Sequence, residues 1–309
     1  MPRPSGTTSA LPLGSAVPML VACPILAASL LLSWQGQWLC AVALVIVLGV
    51  PHGALDVEIG RNLFRDRLGR AWFPAFALPY LTLVALVLVA WHVAPAPTLA
   101  AFLIASVWHF GSEDAGVGGL PALAMGGIPV AVPVLMHPEA TASVLAAITD
   151  LTLTSPPSWL VVGSFLWLPT AALWAIRTVH AGHRRTLALP AALCAAFTLL
   201  PPLTAFTLYF VVVHAPAHTT SLIRHPTRAP RVRDVAAAWR LSIFTTALTI
   251  LIGAALWTVT PGETPVRFVR VTLQLLAALT LPHMLLDAWL TRREGSDASR
   301  LARGTDACV

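Results

Sequence analysis

From Trp72 to Val93, from Leu120 to Met136 and from Leu203 to Ser221 the chain carries no acidic or basic side chain other than histidine. A run of about 20 apolar residues is what one helix needs to cross the hydrocarbon of a bilayer. In that medium the backbone must satisfy its own hydrogen bonds, so such runs are expected to be helices. Repeated along the chain, they predict spans at Ser15–Trp34, Trp38–Ile59, Trp72–Val93, Thr98–Gly111, Leu120–Met136, Trp159–Val179, Thr186–Leu200, Leu203–Ser221, Val235–Val259 and Phe268–Trp289. The fourth, fifth and seventh are short enough to be tilted or re-entrant. The expectation is an all-α fold, a polytopic integral membrane bundle of about 8–10 transmembrane helices.

Composition excludes a soluble domain. Of the residues 57% are hydrophobic and 10% charged, with mean hydropathy +0.78, against about 25% charged in a soluble domain. The expected organisation is a short tail over 1–14, one transmembrane domain over 15–290 that carries all the candidate chemistry, and a polar tail over 291–309. The first apolar run is longer than a secretory signal and has no clear cleavage site, so it reads as a retained span. Cys23, Cys40, Cys194 and Cys308 lie far apart without CxxC spacing, which predicts neither a disulfide framework nor a thiolate metal site.

All 19 basic residues are arginine and the net charge is +6. They cluster at Arg61–Arg70, Arg184–Arg185, Arg224–Arg233 and Arg292–Arg303, which marks loops and a tail rather than a nucleic-acid surface. With ten spans and the N-terminus inside, all four clusters face the cytoplasm. This predicts a multi-pass protein of the cell (inner) membrane with both termini cytoplasmic. Arg267 and Arg270 fall outside the pattern and are expected to snorkel from the start of the last span.

Four spans carry a histidine followed four residues later by another ligand-type residue: His52 with Asp56, His109 with Glu113, His214 with His218, and His283 with Asp287. Positions four apart share a helical face, and the topology brings all four pairs to one depth. A lone membrane histidine usually serves a helix–helix hydrogen bond; four matched pairs at one depth point instead to a buried metal site. The absence of cysteine argues against structural zinc, leaving iron, copper or a histidine-rich zinc site. Asp56 and Glu113 are expected to orient their neighbouring imidazoles, with Asp114 as a substitute for Glu113 and Asp287 in the same position beside His283.

His92, His137, His180, His183 and His225 fall at span edges or among arginines and read as interfacial or loop residues. Pro51, Pro216 and Pro282 lie beside the paired histidines. A proline inside a helix frees a carbonyl one turn back and kinks the helix, here opening space near the site.

The segments "GVPHGALDVE", "WHFGSEDA", "HAPAHTTSLIRHP" and "LPHMLLDAW", in this order, resemble the Brp/Blh family of bacterial and archaeal membrane β-carotene 15,15′-dioxygenases. The resemblance runs from about Gly49 to Trp289. It implies cleavage of β-carotene by O₂ at its central double bond to two retinal molecules, with Fe(2+) as cofactor, the bilayer as medium and a retinal-binding rhodopsin as a downstream partner. Carried over by motif, His52, His109, His214 and His218 would be the metal ligands and His283 a further ligand or site residue. Iron suits this chemistry because redox-inert zinc cannot activate O₂. Trp108, Phe110, Tyr209 and Phe210, beside the ligands, are expected to line a substrate tunnel; aromatic residues near span ends are otherwise interfacial anchors.

Two alternatives carry different signatures. Another histidine–metal membrane oxidase or desaturase with a di-iron centre would need more histidine boxes than the single HxxxH here. A proton- or metal-coupled transporter would also bury histidines and carboxylates beside its pathway. A non-catalytic role in rhodopsin assembly is a third reading.

Overall fold

The computed structural model describes residues 15–115 and 118–306, with side chains as far as residue 292; the expected tail over 1–14 lies outside them. Every regular element among the described residues is helical. The exposed faces are apolar: Phe244 is 72% exposed, Leu251 and Leu166 65% each, and Leu86 59%. An apolar belt of this kind is stable against lipid and not against water, so the fold is a polytopic membrane bundle.

The N-terminal part runs through α1 (Ala16–Ser29), α2 (Trp34–Leu44), α3 (Val50–Gly53), α4 (Asp56–Leu68) and α5 (Trp72–Val93). The middle comprises α6 (Pro95–Ala115), α7 (Leu120–Met136), α8 (Pro138–Thr149), α9 (Ser158–His180) and α10 (Ala188–Leu199). The last helices are α11 (Pro202–Tyr209), α12 (Ala215–Arg224), α13 (Val235–Val259) and α14 (Thr264–Asp306). Five helical stretches are long and apolar enough to cross a membrane, or six if α7 and α8, bent by 116°, form one broken span. One of these stretches, Trp34–Val93, is 60 residues long and contains two of the ten apolar runs, Trp38–Ile59 and Trp72–Val93. The first run forms only the 14 residues of α1, about 21 Å of helix at 1.5 Å per residue against a hydrocarbon core of about 30 Å. The polar segment after residue 290 continues α14 to Asp306.

Two π-helical turns, Val45–Gly49 and Phe210–His214, stand directly before the Val50-Pro51 and Ala215-Pro216 pairs. In each the residue before the proline bonds five residues back, Val50 N–H to the Val45 carbonyl and Ala215 N–H to that of Phe210. The wider turn accommodates a ring that would collide with the helix behind it, and it rotates the downstream helix about its axis. His52 and His214 lie at these two turns. Pro282, by contrast, sits within the continuous α14. The turns also touch each other: a Cβ on Gly49 would lie 2.4 Å from the Phe210 ring, so only glycine lets that aromatic approach.

Helix α6, which supplies three site residues, is held against α7 by backbone contact. A Cβ on Gly111 would fall 1.8 Å from the Ala122 carbonyl oxygen, and one on Gly126 1.8 Å from that of Val107. At the other end of the bundle Arg270 is 6% exposed. Its Nε donates to the Ala147 carbonyl at 2.9 Å and its guanidinium pairs with Asp150, the left-handed residue that ends α8. Gln274 adds a bond to the Ile148 carbonyl at 2.7 Å. Arg270 thus caps a buried helix terminus and does not snorkel. Arg267 lies over the Trp257 ring at 4.2 Å and donates to its carbonyl.

The Gly111 contact generates a test. Gly111→Ala drives a methyl into backbone that cannot rotate away, so it should destabilise by about 1–3 kcal/mol or more. Gly163→Ala, where nothing lies within 4 Å of the added carbon, should be neutral. Thermal midpoints in detergent check both.

Candidate metal centre

Five elements deliver five imidazoles to one point. His52 comes from α3, His109 from α6, His214 and His218 from the second π turn and α12, and His283 from α14. Ring centroids are 5.2 Å apart for His109–His214, 5.3 Å for His109–His283, 5.4 Å for His52–His214 and 4.8 Å for His218–His283. All five are buried. In an apolar bundle, each ring nitrogen turned away from the centre needs a partner.

That partner is nearly always an oxygen that only accepts. His52 Nδ1 meets the Gly49 carbonyl at 2.5 Å, His218 Nδ1 meets Glu113 Oε1 at 3.1 Å, and His283 Nδ1 meets Asp56 Oδ1 at 2.9 Å. His214 Nδ1 faces Asp114 Oδ1 at 3.4 Å. A carbonyl or carboxylate cannot donate, so Nδ1 carries the proton and Nε2 keeps its lone pair. The Nε2 atoms of His214, His218 and His283, together with Glu113 Oε2, are buried without a hydrogen-bond partner. Unpaired buried acceptors are costly unless something positive sits among them.

The separations fit an ion. Glu113 Oε2 lies 3.5 Å from His214 Nε2 and 3.9 Å from His109 Nε2, and its Oε1 lies 3.8 Å from His283 Nε2. These exceed hydrogen-bond lengths except at their lower edge and are close to the spacing of neighbouring ligands on one ion held at about 2.0–2.2 Å. Two donor groups have their atoms within 4.8 Å of one another, Asp56–His218–His283 and His109–Glu113–His214. In the first, Asp56 is already committed to His283 and to Tyr80. The second, with its orphaned Glu113 and His214 atoms, is the core an ion would find. A nitrogen–oxygen set without sulfur suits a first-row transition metal.

The partnerships are not those of the i, i+4 pattern. Asp56 serves His283, because α3 ends at Gly53 and α4 starts at Asp56, so His52 and Asp56 share no helix face. Glu113 does reach its own His109, and it orients His218 and faces the ion position as well. Asp287 pairs with Arg228 at 3.1 Å and takes no imidazole in its hydrogen bonding. Phe110 packs edge-on to His214 at 4.7 Å and Phe210 stacks on it at 5.6 Å. Both line a cavity of about 190 Å³ that includes His52, His109, His214 and His283. Tyr209 has a different task, donating to Asp114 Oδ2 at 2.5 Å. Trp108 is 49% exposed on the outer surface of α6 and is not among the residues lining that cavity. His137 bonds the Thr198 carbonyl at 2.9 Å, and His92, His180, His183 and His225 are exposed.

Tyr80, which sequence reasoning passed over, donates to Asp56 Oδ2 at 2.8 Å. The chain has two tyrosines, and both hydroxyls bind carboxylates of the centre. A lone phenol inside an otherwise apolar, charge-free run was the signal. Beyond the imidazoles a polar cap closes the same end: Arg231 and Arg61 pair with Glu58, and Asn62 donates to the Thr227 and Arg228 carbonyls.

Fold and site together define a membrane-embedded protein with a buried histidine–carboxylate centre made for a transition metal. The chain belongs to the family described as beta-carotene 15,15′-dioxygenase, whose profile matches residues 43–291, and it is an enzyme of oxidoreductase type. It is 29% identical over 306 residues to the probable beta-carotene 15,15′-dioxygenase Blh of Halobacterium salinarum, covering 85% of this chain and 87% of that one. To the beta-carotene 15,15′-dioxygenase of an uncultured marine bacterium, 66A03, it is 27% identical over 277 residues, 83% and 95% of the two chains. No solved structure matches it.

Removing an imidazole from the core should remove the metal. His214→Ala is expected to purify with less than a tenth of the wild-type content, and His137→Ala with all of it, by elemental analysis. Asp56→Asn and Tyr80→Phe disturb only the support of His283, so each should weaken metal retention about 10–100-fold rather than abolish it; competition with a chelator measures this.

Proposed function

We propose that the protein cleaves β-carotene at its central 15,15′ double bond with O₂, giving two molecules of retinal, with Fe(2+) as the resident metal. The observation that carries the reading is the position of His214 and His283, two of the residues with unpaired ring nitrogens: both line an apolar cavity whose lining extends to Phe73, Leu81 and the strongly exposed Phe244. A hydrocarbon dissolved in the bilayer can reach such a site sideways, between α5 and α13, without crossing water.

Iron(II) in this nitrogen–oxygen set supplies the O₂ activation that the protein's own side chains cannot. His109, His214, His283 and Glu113 face the ion position, while His52 and His218 complete the imidazole shell. The Gly49 carbonyl, Asp56, Glu113 and Asp114 hold the Nδ1 protons, so the Nε2 lone pairs stay directed inward. Phe110 and Phe210 present ring faces and edges to the polyene and keep water from the reacting carbons. The reaction balances without a further reductant: both atoms of O₂ become the two aldehyde oxygens.

The arginine-rich cap beside the centre supports placing this end on the cytoplasmic face of the inner membrane. A retinal-binding rhodopsin is the natural consumer of the product. Metal content separates this reading from a di-iron oxidase, with about one iron per chain expected.

The test is expression in bacteria that accumulate β-carotene. Aerated cells should bleach and yield retinal, whereas anaerobic cells and cells with His214→Ala should stay coloured. Apocarotenals longer than retinal as the main product would overturn the central cut.

A further inference from the structure

A second apolar cavity of about 120 Å³ lies behind the first, and the two share Phe102, Phe110, Phe206 and Leu276 as a common wall. Its lining continues along α14 to Leu273 and along α8 through Val144 and Leu145. From His283 to Leu273 is ten residues of α14, a depth of about 15 Å at 1.5 Å per residue. The first cavity reaches the lipid-facing surface on one side of the imidazoles, and the second lies on the other side of the shared aromatic wall.

One polar atom in this second lining lacks a partner. Ser106 is 2% exposed and its Oγ has no hydrogen bond. Several buried hydroxyls elsewhere in the bundle bond back to the carbonyl one turn earlier, as Ser164 does to Leu160 and Thr149 to Leu145, each at 2.8 Å, while Ser15 and Thr246 share the unpaired state of Ser106. Thr141, on the same wall, donates to Pro133. Ser106 stands one helical turn before His109 and Phe110, near the shared wall. A hydroxyl left unpaired there would be costly unless the occupant at some stage offers an acceptor.

Resting on the proposed reaction, we infer that the inner cavity is the binding site for the second half of the polyene, so that substrate straddles the metal with one arm in each cavity. A hydrocarbon arm has no acceptor for Ser106. Cleavage turns the reacting carbon of that arm into an aldehyde, whose oxygen is formed beside the shared wall, within reach of the Ser106 hydroxyl as donor. The inner cavity is thereby a retinal site as well as half of a carotene site, and its depth determines which double bond meets the metal.

The stoichiometry of retinal binding tests this in the iron-loaded protein in lipid nanodiscs, followed by retinal absorbance and tryptophan quenching. Wild type should bind two retinal molecules per chain. Val144→Trp, which fills the inner cavity from a half-buried position, should bind one and should lose β-carotene affinity at least about tenfold. Ser106→Ala should keep both sites but weaken one roughly fivefold, the effect of one ordinary hydrogen bond. A single retinal per wild-type chain overturns the inference whatever the variants do. Two per chain in Val144→Trp, or in Val130→Phe on the opposing wall should the tryptophan variant fail to fold, overturns it equally. Two retinals bound by a protein that does not cleave carotene would instead refute the proposed reaction and leave the two arms standing.

Discussion

Four of the five buried imidazoles commit their outer nitrogen to an acceptor, and much of the molecule is arranged around that requirement. A neutral imidazole has one donor and one acceptor nitrogen. Committing Nδ1–H to the Gly49 carbonyl, Asp56, Glu113 or Asp114 leaves Nε2 as an unsatisfied lone pair directed at the centre. A cation answers all the lone pairs together, as no set of pairwise hydrogen bonds would. The two tyrosines extend the same logic by one more layer, binding Asp56 and Asp114 from outside. Within hydrocarbon such a network cannot borrow water, so every link has to come from the chain.

The backbone irregularities serve this arrangement. Prolines next to the histidines of the centre would distort a regular helix. The π turns at Val45–Gly49 and Phe210–His214 absorb two of them and rotate His52 and His214 toward each other. Close glycine packing of α6 on α7 holds the helix that contributes His109, Glu113 and Asp114. At the far end Arg270 compensates the exposed carbonyls of α8.

The position of the centre also shapes what reaches it. A polar cap of Glu58, Arg61, Arg231 and Asn62 covers one side. The other side is hydrocarbon, with one cavity reaching the lipid surface and a second behind a wall of Phe102, Phe110 and Phe206. Water and ions meet the cap; apolar molecules meet the cavity. This division leaves the histidine–carboxylate centre bordered by an apolar cavity on one side and by the polar cap on the other.

Much was legible in the order of residues. Apolar run length requires a membrane bundle, histidines recurring near the ends of such runs require a polar centre, and the absence of cysteine among them restricts its donors to nitrogen and oxygen. These features rest on transfer energies and donor chemistry, which do not depend on the fold. Which carboxylate serves which imidazole could not be read the same way. Periodicity pairs His52 with Asp56 and His283 with Asp287, yet Asp56 crosses to His283, separated by 227 positions, while Asp287 joins Arg228. A break between α3 and α4 and two π turns change the helical phase, and phase alone decides which side chains share a face. The same holds for Trp108 and Phe110, two residues apart on α6, one on the exposed surface and the other against His214. The sequence by itself determined the solvent, the helices and the chemistry of the centre; only the tertiary structure decided the partners, because hydrogen bonds are satisfied across space by whichever helix the packing brings near.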